Sequence, residues 1–551
     1  MKNINRRSFL SAAVVAGSAA MIGGALSGCA PKSNNSDGVL GATGAGAENV
    51  SWDEEFDIVV CGSGTALVGA LAAQESGASV IVLEKGSTLG GTTVLSGAVC
   101  WVPSNHVMER FGYGPDVGDE EILDYMRTAD VSHGSSDEIK LDYIQNARKL
   151  FQWMEDTWGL EFGIFPATCD YYDLPGAMGL GRSIGFIDSQ TEAAGGAGMD
   201  DAAFQEVFIG MAESKGLDMR TNAEVTSLIQ DGDRRIIGVE VRNGSKTKCI
   251  KAAKGVLVGT GGFEHNEEMR NKYLYGPLHG LTSPSTNTGD GQRMGQRVGA
   301  DLANMSSVWG NPFYLISDEP AQNPLADYGM YAGTAGAIYV NSRGRRFVNE
   351  AAGYDVVTNA FYNYDTYTYS FGNMPAWLIF DSDHVEAYGW PTYVEEQPKW
   401  VKAFSSIDEL ASACGIDPEG LTQEIARFNA MCENGVDEDF GRGAWLHDTI
   451  QAECFGPRPD LANVTMGPIA TPPFYAVKVG PGAFGTNGGL AVDTDARVLD
   501  LDGKAIEGLY ACGNCAASIC GSIYPGPGGT VGPGFYQAFR AVNHALELGI
   551  I

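Results

Sequence analysis

The stretch FDIVVCGSGTALVGALAAQESGASVIVLE, residues 56–84, constrains this chain more than any other, because it reads as strand, glycine turn, helix, strand and closing acid. Asp57 to Val60 is a short apolar run that enters Gly62-Ser63-Gly64, where backbone without Cβ can turn sharply and admit a phosphate. Ala66, Leu67, Ala70, Leu71 and Ala73 suit a helix packed on a sheet, Gly77 suits its C-cap, and Ser79 to Leu83 is the second buried strand. Glu84 lies about twenty residues past the glycines, where a Rossmann unit sets a carboxylate against ribose hydroxyls while the helix N-terminus faces the pyrophosphate. The expected ligand is a dinucleotide. At the third glycine position stands Leu67, with Gly69 two residues later, which predicts looser packing of helix on strand.

At 551 residues the chain accommodates two or three domains, and a hydrophobic fraction of 44% is that of a globular protein. Its 36 Lys+Arg against 68 Asp+Glu, a formal charge of −32, exclude the basic footprint that nucleic acid requires. Residues 1–29 read as an export signal: Arg6-Arg7-Ser8-Phe9-Leu10 is a twin-arginine motif, and Leu26-Ser27-Gly28-Cys29 has the form of a bacterial lipobox. The expectation is export by the twin-arginine route to the cell envelope, a lipid on Cys29, and a flexible tether over residues 30–52. The eleven cysteines show no disulfide framework. Cys512-Gly513-Asn514-Cys515 is a lone CxxC, poor evidence for zinc or an iron-sulfur cluster, and no metal site is expected.

Further glycine turns recur along the chain at Gly90-Gly91-Thr92-Thr93, Ser96-Gly97, Gly259-Thr260-Gly261-Gly262 and Gly289-Asp290-Gly291. Residues 119–160, 202–215, 407–414 and 421–434 read as helical, and an aromatic loop, Asp170-Tyr171-Tyr172-Asp173, lies between the first two. From about 309 to 479 the sequence turns aromatic and loop-rich, as an inserted domain would. Nucleotide-fold character then returns with Gly485 to Leu490, a hairpin from Arg497 to Ile506, and GLYACGN at 508–514. The predicted fold class is α/β: a Rossmann-like dinucleotide domain over residues 53–308 and 480–551, interrupted at 309–479 by an α+β catalytic (capping) domain.

A nucleotide unit at the front, a strand-GTGG segment in the middle and a strand-turn at the back together resemble the FAD-binding domain of the fumarate reductase and 3-oxosteroid dehydrogenase superfamily. The segments GGTTVLSGAVCWVPSN, DYYDLPGAMGLGRSI, GVLVGTGGFEHNEEMRNKY, RRFVNEAAGYD, GVDEDFGRG and GTNGGLAVDTDARVLDLDGKAIEGLYACGN, with the following SIYPGPGGTVGPG, resemble the 3-oxosteroid 1-dehydrogenases in particular. The resemblance implies FAD in a glutathione-reductase-type fold. Its contacts would be Gly62, Gly64, Thr65, Ala66, Glu84, Lys85, Gly91, Thr92, Thr93, Ser96, Gly97, Val225, Thr260, Gly261, Gly262, Asp290, Gly513, Asn514, Gly529, Thr530 and Val531. Fumarate reductases carry an arginine proton donor after the NE motif, where this chain has Ala351-Ala352-Gly353-Tyr354, and they hold carboxylates with a histidine and an arginine where Asn487 and Tyr524 to Gly528 stand here. A neutral, phenol-lined site suits a small hydrophobic ketone such as a steroid.

Desaturation beside a ketone removes an α proton and a hydride from the next carbon, and the proton is acidic enough only where donors converge on the carbonyl oxygen. By resemblance those donors are the Tyr524 hydroxyl and the Gly528 N–H, Tyr354 is the base, the flavin takes the hydride, and Tyr171 favours the Tyr354 phenolate. Tyr172 stands as the alternative to Tyr171. In reverse the same groups reduce an enone, so the motifs leave direction open, and an exported enzyme would exchange electrons with a membrane quinone or cytochrome. The family's SGG is Ser96-Gly97-Ala98 here, which adds bulk beside the flavin.

Overall fold

Ile58 to Cys61 are buried because strand β1 (Glu54–Cys61) runs through the middle of a parallel sheet, with helix α1 (Ala66–Glu75) and strand β2 (Val80–Leu83) completing the unit that the sequence predicts. This is a computed structural model, describing residues 50–165, 169–187, 204–316, 325–326, 331–391, 394, 396–456 and 458–551. The twin-arginine and lipobox residues and the tether to residue 49 lie outside the described residues. The last tether position does not hang free: the Trp52 ring covers Gly238, where a Cβ would stand 2.6 Å from it.

The helical stretch expected over residues 119–160 is two helices, α2 (Asp119–Ala129) and α3 (Asp137–Trp158). The break serves Asp130, fully buried, which pairs with the equally buried Lys140 at 2.7 Å and accepts from the backbone and hydroxyl of distant Ser522. The sheet continues through β3 (Asp218–Arg220), β4 (Glu224–Gln230), β5 (Ile236–Asn243) and β6 (Lys246–Val258). Of the helix expected at 202–215, the described part is helical over Gln205–Ile209 and Gly210–Ser214.

A second, antiparallel sheet occupies the middle of the chain. Its main strands are β7 (Val308–Tyr314), β8 (Ala337–Asn341), β9 (Ala376–Asp381) and β10 (Phe474–Thr486), in the spatial order β7-β10-β9-β8. Helix α4 (Tyr354–Ala360) follows β8, and α5 (Ile407–Cys414) and α6 (Pro418–Asn434) cover the Ile338, Val340 and Ile379 face. Helix α6 starts three residues before the expected Leu421, with Pro418 at its first turn, where the missing N–H costs nothing. The 13-residue β10 pairs with both β7 and β9, so the middle sheet leads directly back to the first.

That return is the hairpin β11 (Arg497–Leu499) and β12 (Ala505–Ala511), then helix α7 (Val531–Ala545). In the first sheet Cys61 lies beside Leu83 and Val258, and Val258 beside Ala511. The turns at Gly62, Glu84, Gly259 and Gly513 therefore leave one end of the parallel strands together, the end where open α/β sheets bind ligands. Packing of α1 is close after all: a Cβ at Gly69 would stand 2.6 Å from the Ala538 carbonyl and 3.1 Å from Leu257, so this displaced glycine fits α1 to α7 and to the sheet at once. Among the described residues no helix is long and apolar enough to cross a membrane, and ten cysteines are free thiols.

Candidate active site

At the strand ends the first glycine turn forms a cradle. Gly62 has φ +101°, and a Cβ there would stand 2.2 Å from the Gly259 carbonyl; at Gly64 it would stand 2.9 Å from Thr93 Oγ1. The N–H groups of Gly64, Thr65 and Ala66 have no hydrogen-bond partner among the described residues, and Thr65 caps nothing with its side chain. Helix α1 thus presents unpaired donors at its positive end, an arrangement suited to a pyrophosphate. At α7 the Thr530 and Val531 N–H groups are likewise unpartnered among the described residues. Glu84, almost fully buried, accepts from Ser63 N–H at 3.1 Å and Oγ at 2.6 Å through one oxygen and from Gly86 N–H at 2.7 Å through the other.

Two open regions flank this cradle. One is lined by Val225, Asp290, Arg293 and Arg297; the other by Trp309, Gly513, Asn514, Gly529, Thr530 and Gly534. Lys85 and Asp290, both expected at the cofactor, pair with each other at 2.7 Å, and Lys85 also reaches Thr288 Oγ1. Although burial opposes its charge, the Lys85 contact holds Asp290 below the usual carboxylate range. Thr92 and Thr260 hydroxyls accept from Asn287 Nδ2 and Gly291 N–H, Ser96 donates to the Thr93 carbonyl beside Gly97, and Gly91, at φ +53°, faces open space. Gly261 and Gly262 back onto Asn287, Glu264 and Thr486. Free N–H groups at two helix starts, and glycines where side chains would block the backbone, fit FAD.

Three phenols meet next to Trp309, which lines the second open region. Ring centroids of Tyr171 and Tyr354 are 5.2 Å apart, Tyr354 and Tyr524 5.1 Å, and Tyr171 and Tyr524 5.6 Å. Trp309, Phe484 and His447 pack around them at 5.2 Å from Tyr524, 5.4 Å from Tyr354 and 4.8 Å from Tyr171. Each phenol comes from a different part of the chain: the loop after the β-strand Phe162–Ile164, the start of α4, and the loop before α7. Gly353 makes the first contact possible, because a Cβ there would stand 2.9 Å from Tyr171.

The loop from Tyr524 to Gly528 is held by its carbonyls. Pro525 O accepts from Tyr125 Oη at 2.5 Å and Tyr171 N–H at 3.2 Å, Pro527 O from Ser183 Oγ at 2.8 Å, and Gly528 O from Trp101 N–H at 3.1 Å. The buried Gly528 N–H has no partner among the described residues, an uncommon condition for a buried donor. It stands ready for an oxygen. The Tyr171 loop is fixed by Asp170, which accepts from Trp101 Nε1 and Met178 N–H and pairs with Arg182 at 2.5 Å.

Burial pushes all three hydroxyls above the ordinary tyrosine range, and Tyr354 is raised further by Tyr171 and Tyr524. Tyr171 and Tyr354 are thus in contact through their rings and share a hydrogen bond between their hydroxyls, and this contact raises Tyr354. Tyr172, the alternative, donates to the Asp355 carboxylate at 2.6 Å instead. Among the described residues three arginines are buried, and each is paired: Arg182 with Asp116 and Asp170, Arg346 with Glu350 and Asp437, and Arg442 with Glu350 and the Thr334 and Ala337 carbonyls. The RRFVNEAAGYD and GVDEDFGRG motifs meet in this last network, four residues before Tyr354. Trp309, His447 and Asp355 escaped sequence reasoning, since each is an isolated residue whose place depends on the packing of separate segments. Ala98, fully buried, sits at φ +50°, a strained position for a residue with a Cβ.

The family described as the FAD binding domain matches residues 57–531. Among curated proteins, a 4-oxocyclohexanecarboxylate 2-dehydrogenase of Sinomonas cyclohexanicum is 32% identical over 529 residues, spanning 87% of this chain and 90% of that protein. A 3-oxosteroid 1-dehydrogenase of Mycobacterium tuberculosis is 30% identical over 588 residues, spanning 90% and 99%. Among solved structures, the 3-ketosteroid delta1-dehydrogenase of Sterolibacterium denitrificans, in complex with 1,4-androstadiene-3,17-dione, superposes with a TM-score of 0.81 at 28% identity and covers 90% of this chain and all of that one.

Proposed function

Because this chain belongs to the FAD binding domain family and is an FAD-dependent oxidoreductase of CH–CH groups, we propose that it is a 3-oxosteroid 1-dehydrogenase-type enzyme working at the C1–C2 bond of a 3-ketosteroid. The observation that carries this reading is the meeting of Tyr171, Tyr354 and Tyr524, the last in the same loop as Gly528, whose N–H has no partner among the described residues. Tyr524 and Gly528 would donate to the ketone oxygen, where charge develops during enolisation, and buried surroundings would strengthen both bonds. Tyr354 would transfer the proton at the α carbon, with Tyr171 orienting its hydroxyl. Bound FAD would supply the two-electron redox chemistry, with the unpaired N–H groups of Gly64, Thr65 and Ala66 on its pyrophosphate and Glu84 on its ribose.

Tyr354 would protonate the α carbon in enone reduction and remove the α proton in desaturation, so the same hydroxyl serves both directions. A second reading, a smaller cyclic ketone as substrate, is supported by the 32% identity to a dehydrogenase named for a single-ring oxo acid. The motifs at residues 6–10 and 26–29 support an exported, lipid-tethered enzyme that exchanges electrons with a membrane quinone or cytochrome; labelling with radioactive palmitate in a bacterial host, lost on Cys29→Ala, tests the tether. For the reaction, a panel of 3-ketosteroids and monocyclic ketones is incubated anaerobically with an artificial acceptor, and the corresponding enones with reduced viologen. A mass change of two hydrogens at the bond next to the ketone is expected. Turnover of fumarate alone would overturn the assignment.

A further inference from the structure

Asp355 follows Tyr354 in the first turn of α4 and is 4% exposed. One of its oxygens accepts from Tyr172 Oη at 2.6 Å and from the Tyr524 N–H at 3.3 Å. The other is buried without a partner among the described residues. A single carboxylate therefore joins the three segments that bring the phenols together: the Tyr171–Tyr172 loop, the start of α4, and the Tyr524 loop. The groups that face it are Tyr172 and Tyr171 from the first of these and Tyr524 from the last, while Tyr354 precedes it on its own helix and packs against Tyr171 and Tyr524. No cation is among them, and the buried Arg182, Arg346, Arg442 and Lys140 are held by other carboxylates.

A negative charge among buried phenols disfavours a second negative charge beside it, because little solvent lies between them. We propose that Asp355 is a positioning residue for this site: its carboxylate sets the spacing of Tyr171, Tyr354 and Tyr524, and its charge keeps them as proton donors. The inference rests on the proposed function for the reaction it serves, and on the hydrogen bonds alone for the coupling. Burial holds the Asp355 carboxyl up at about 6, so its charge is gained as pH rises through that value.

The test uses the FAD-loaded full chain. Asp355→Asn keeps an oxygen for both donors but has no charge, Asp355→Ala removes both, and Asp355→Glu restores the charge. The wild-type rate profile should carry a limb near pH 6 that is absent in D355N and returns in D355E, whereas kcat in D355A should fall about 100-fold, the effect of a misplaced reacting group. A limb near pH 6 unchanged in D355N, or a wild-type kcat in D355A, overturns the proposal. If the wild-type protein turns over neither ketones nor enones, the functional reading has failed by itself. In that case carbon-13 spectra of tyrosine Cζ decide about Asp355: the resonances of Tyr171, Tyr354 and Tyr524 should ionise at lower pH in D355N than in wild type, and identical titrations refute the role.

Discussion

Replacing Tyr354 with phenylalanine removes one oxygen and keeps the ring. Its edge contacts to Tyr171, Tyr524 and Phe484, at centroid distances of 5.2, 5.1 and 5.4 Å, persist. The structural cost is the loss of hydroxyl hydrogen bonds with Tyr171 and Tyr524, about 1 kcal/mol each. In a chain of this size that lowers Tm by no more than a few degrees. The catalytic cost is much larger, because a positioned acid or base contributes roughly 10²–10⁴-fold, or about 3–5 kcal/mol of barrier. Stopped-flow measurement of the half-reaction, with flavin content and Tm as controls, should give a variant that binds FAD, unfolds near the wild-type temperature and reacts at least 100-fold more slowly, on the lower bound of that range. A fully flavinated Tyr354→Phe protein with more than about a tenth of the wild-type rate would refute the assignment of proton transfer to this hydroxyl, since general acid–base catalysis contributes more than that.

Gly62→Ala must fit a Cβ 2.2 Å from the Gly259 carbonyl at φ +101°, so the purified variant should contain little FAD by absorbance. Gly528→Ala, whose Cβ would stand 2.6 Å from Trp101 N at φ +87°, should move the free N–H and lower kcat by about 10²–10³, the effect of one lost oxyanion donor, with FAD retained. Glu350→Gln leaves Arg346 and Arg442 facing each other without their shared carboxylate; thermal and urea unfolding should show a loss of about 3–5 kcal/mol. Asp355 also predicts a pH dependence of stability. Its carboxyl titrates at about 6 in the fold against an ordinary 3.8, so between these values the native state holds a proton that the unfolded chain has released, and stability falls as pH rises. The Tm of Asp355→Asn relative to wild type should accordingly rise from pH 4 to pH 7.

The dinucleotide unit was legible because its signals are local: an apolar strand, glycines at a turn and an acid at fixed spacing all lie within residues 56–84. Gly69 shows the limit of local reading. Its displacement from the usual position predicted loose packing, but its contact is with Ala538, some 470 residues later, a distance no spacing rule reaches. The split between α2 and α3 has the same origin, since Asp130 leaves the helix to hold Ser522. At the site, motif resemblance brought forward Tyr171, Tyr354, Tyr524 and Gly528, and the structure brings the three rings into one cluster next to the Gly528 loop. The protonation of those phenols was not legible, because it depends on burial and on Asp355, whose chemistry appears only when three distant segments meet. Lys85 and Asp290 were named at the cofactor by resemblance, but their pairing was not legible in the sequence.

The central claim is that phenols and a free backbone N–H activate a keto group beside FAD. Its most direct measurement is the absorbance of the purified flavoprotein near the flavin maximum, under nitrogen, as a saturated cyclic ketone is added to the oxidised form and the matching enone to the reduced form. The account predicts bleaching in the first case and recovery of colour in the second, both abolished by Tyr354→Phe. A spectrum indifferent to every ketone and enone, with recovery driven only by fumarate, would contradict it.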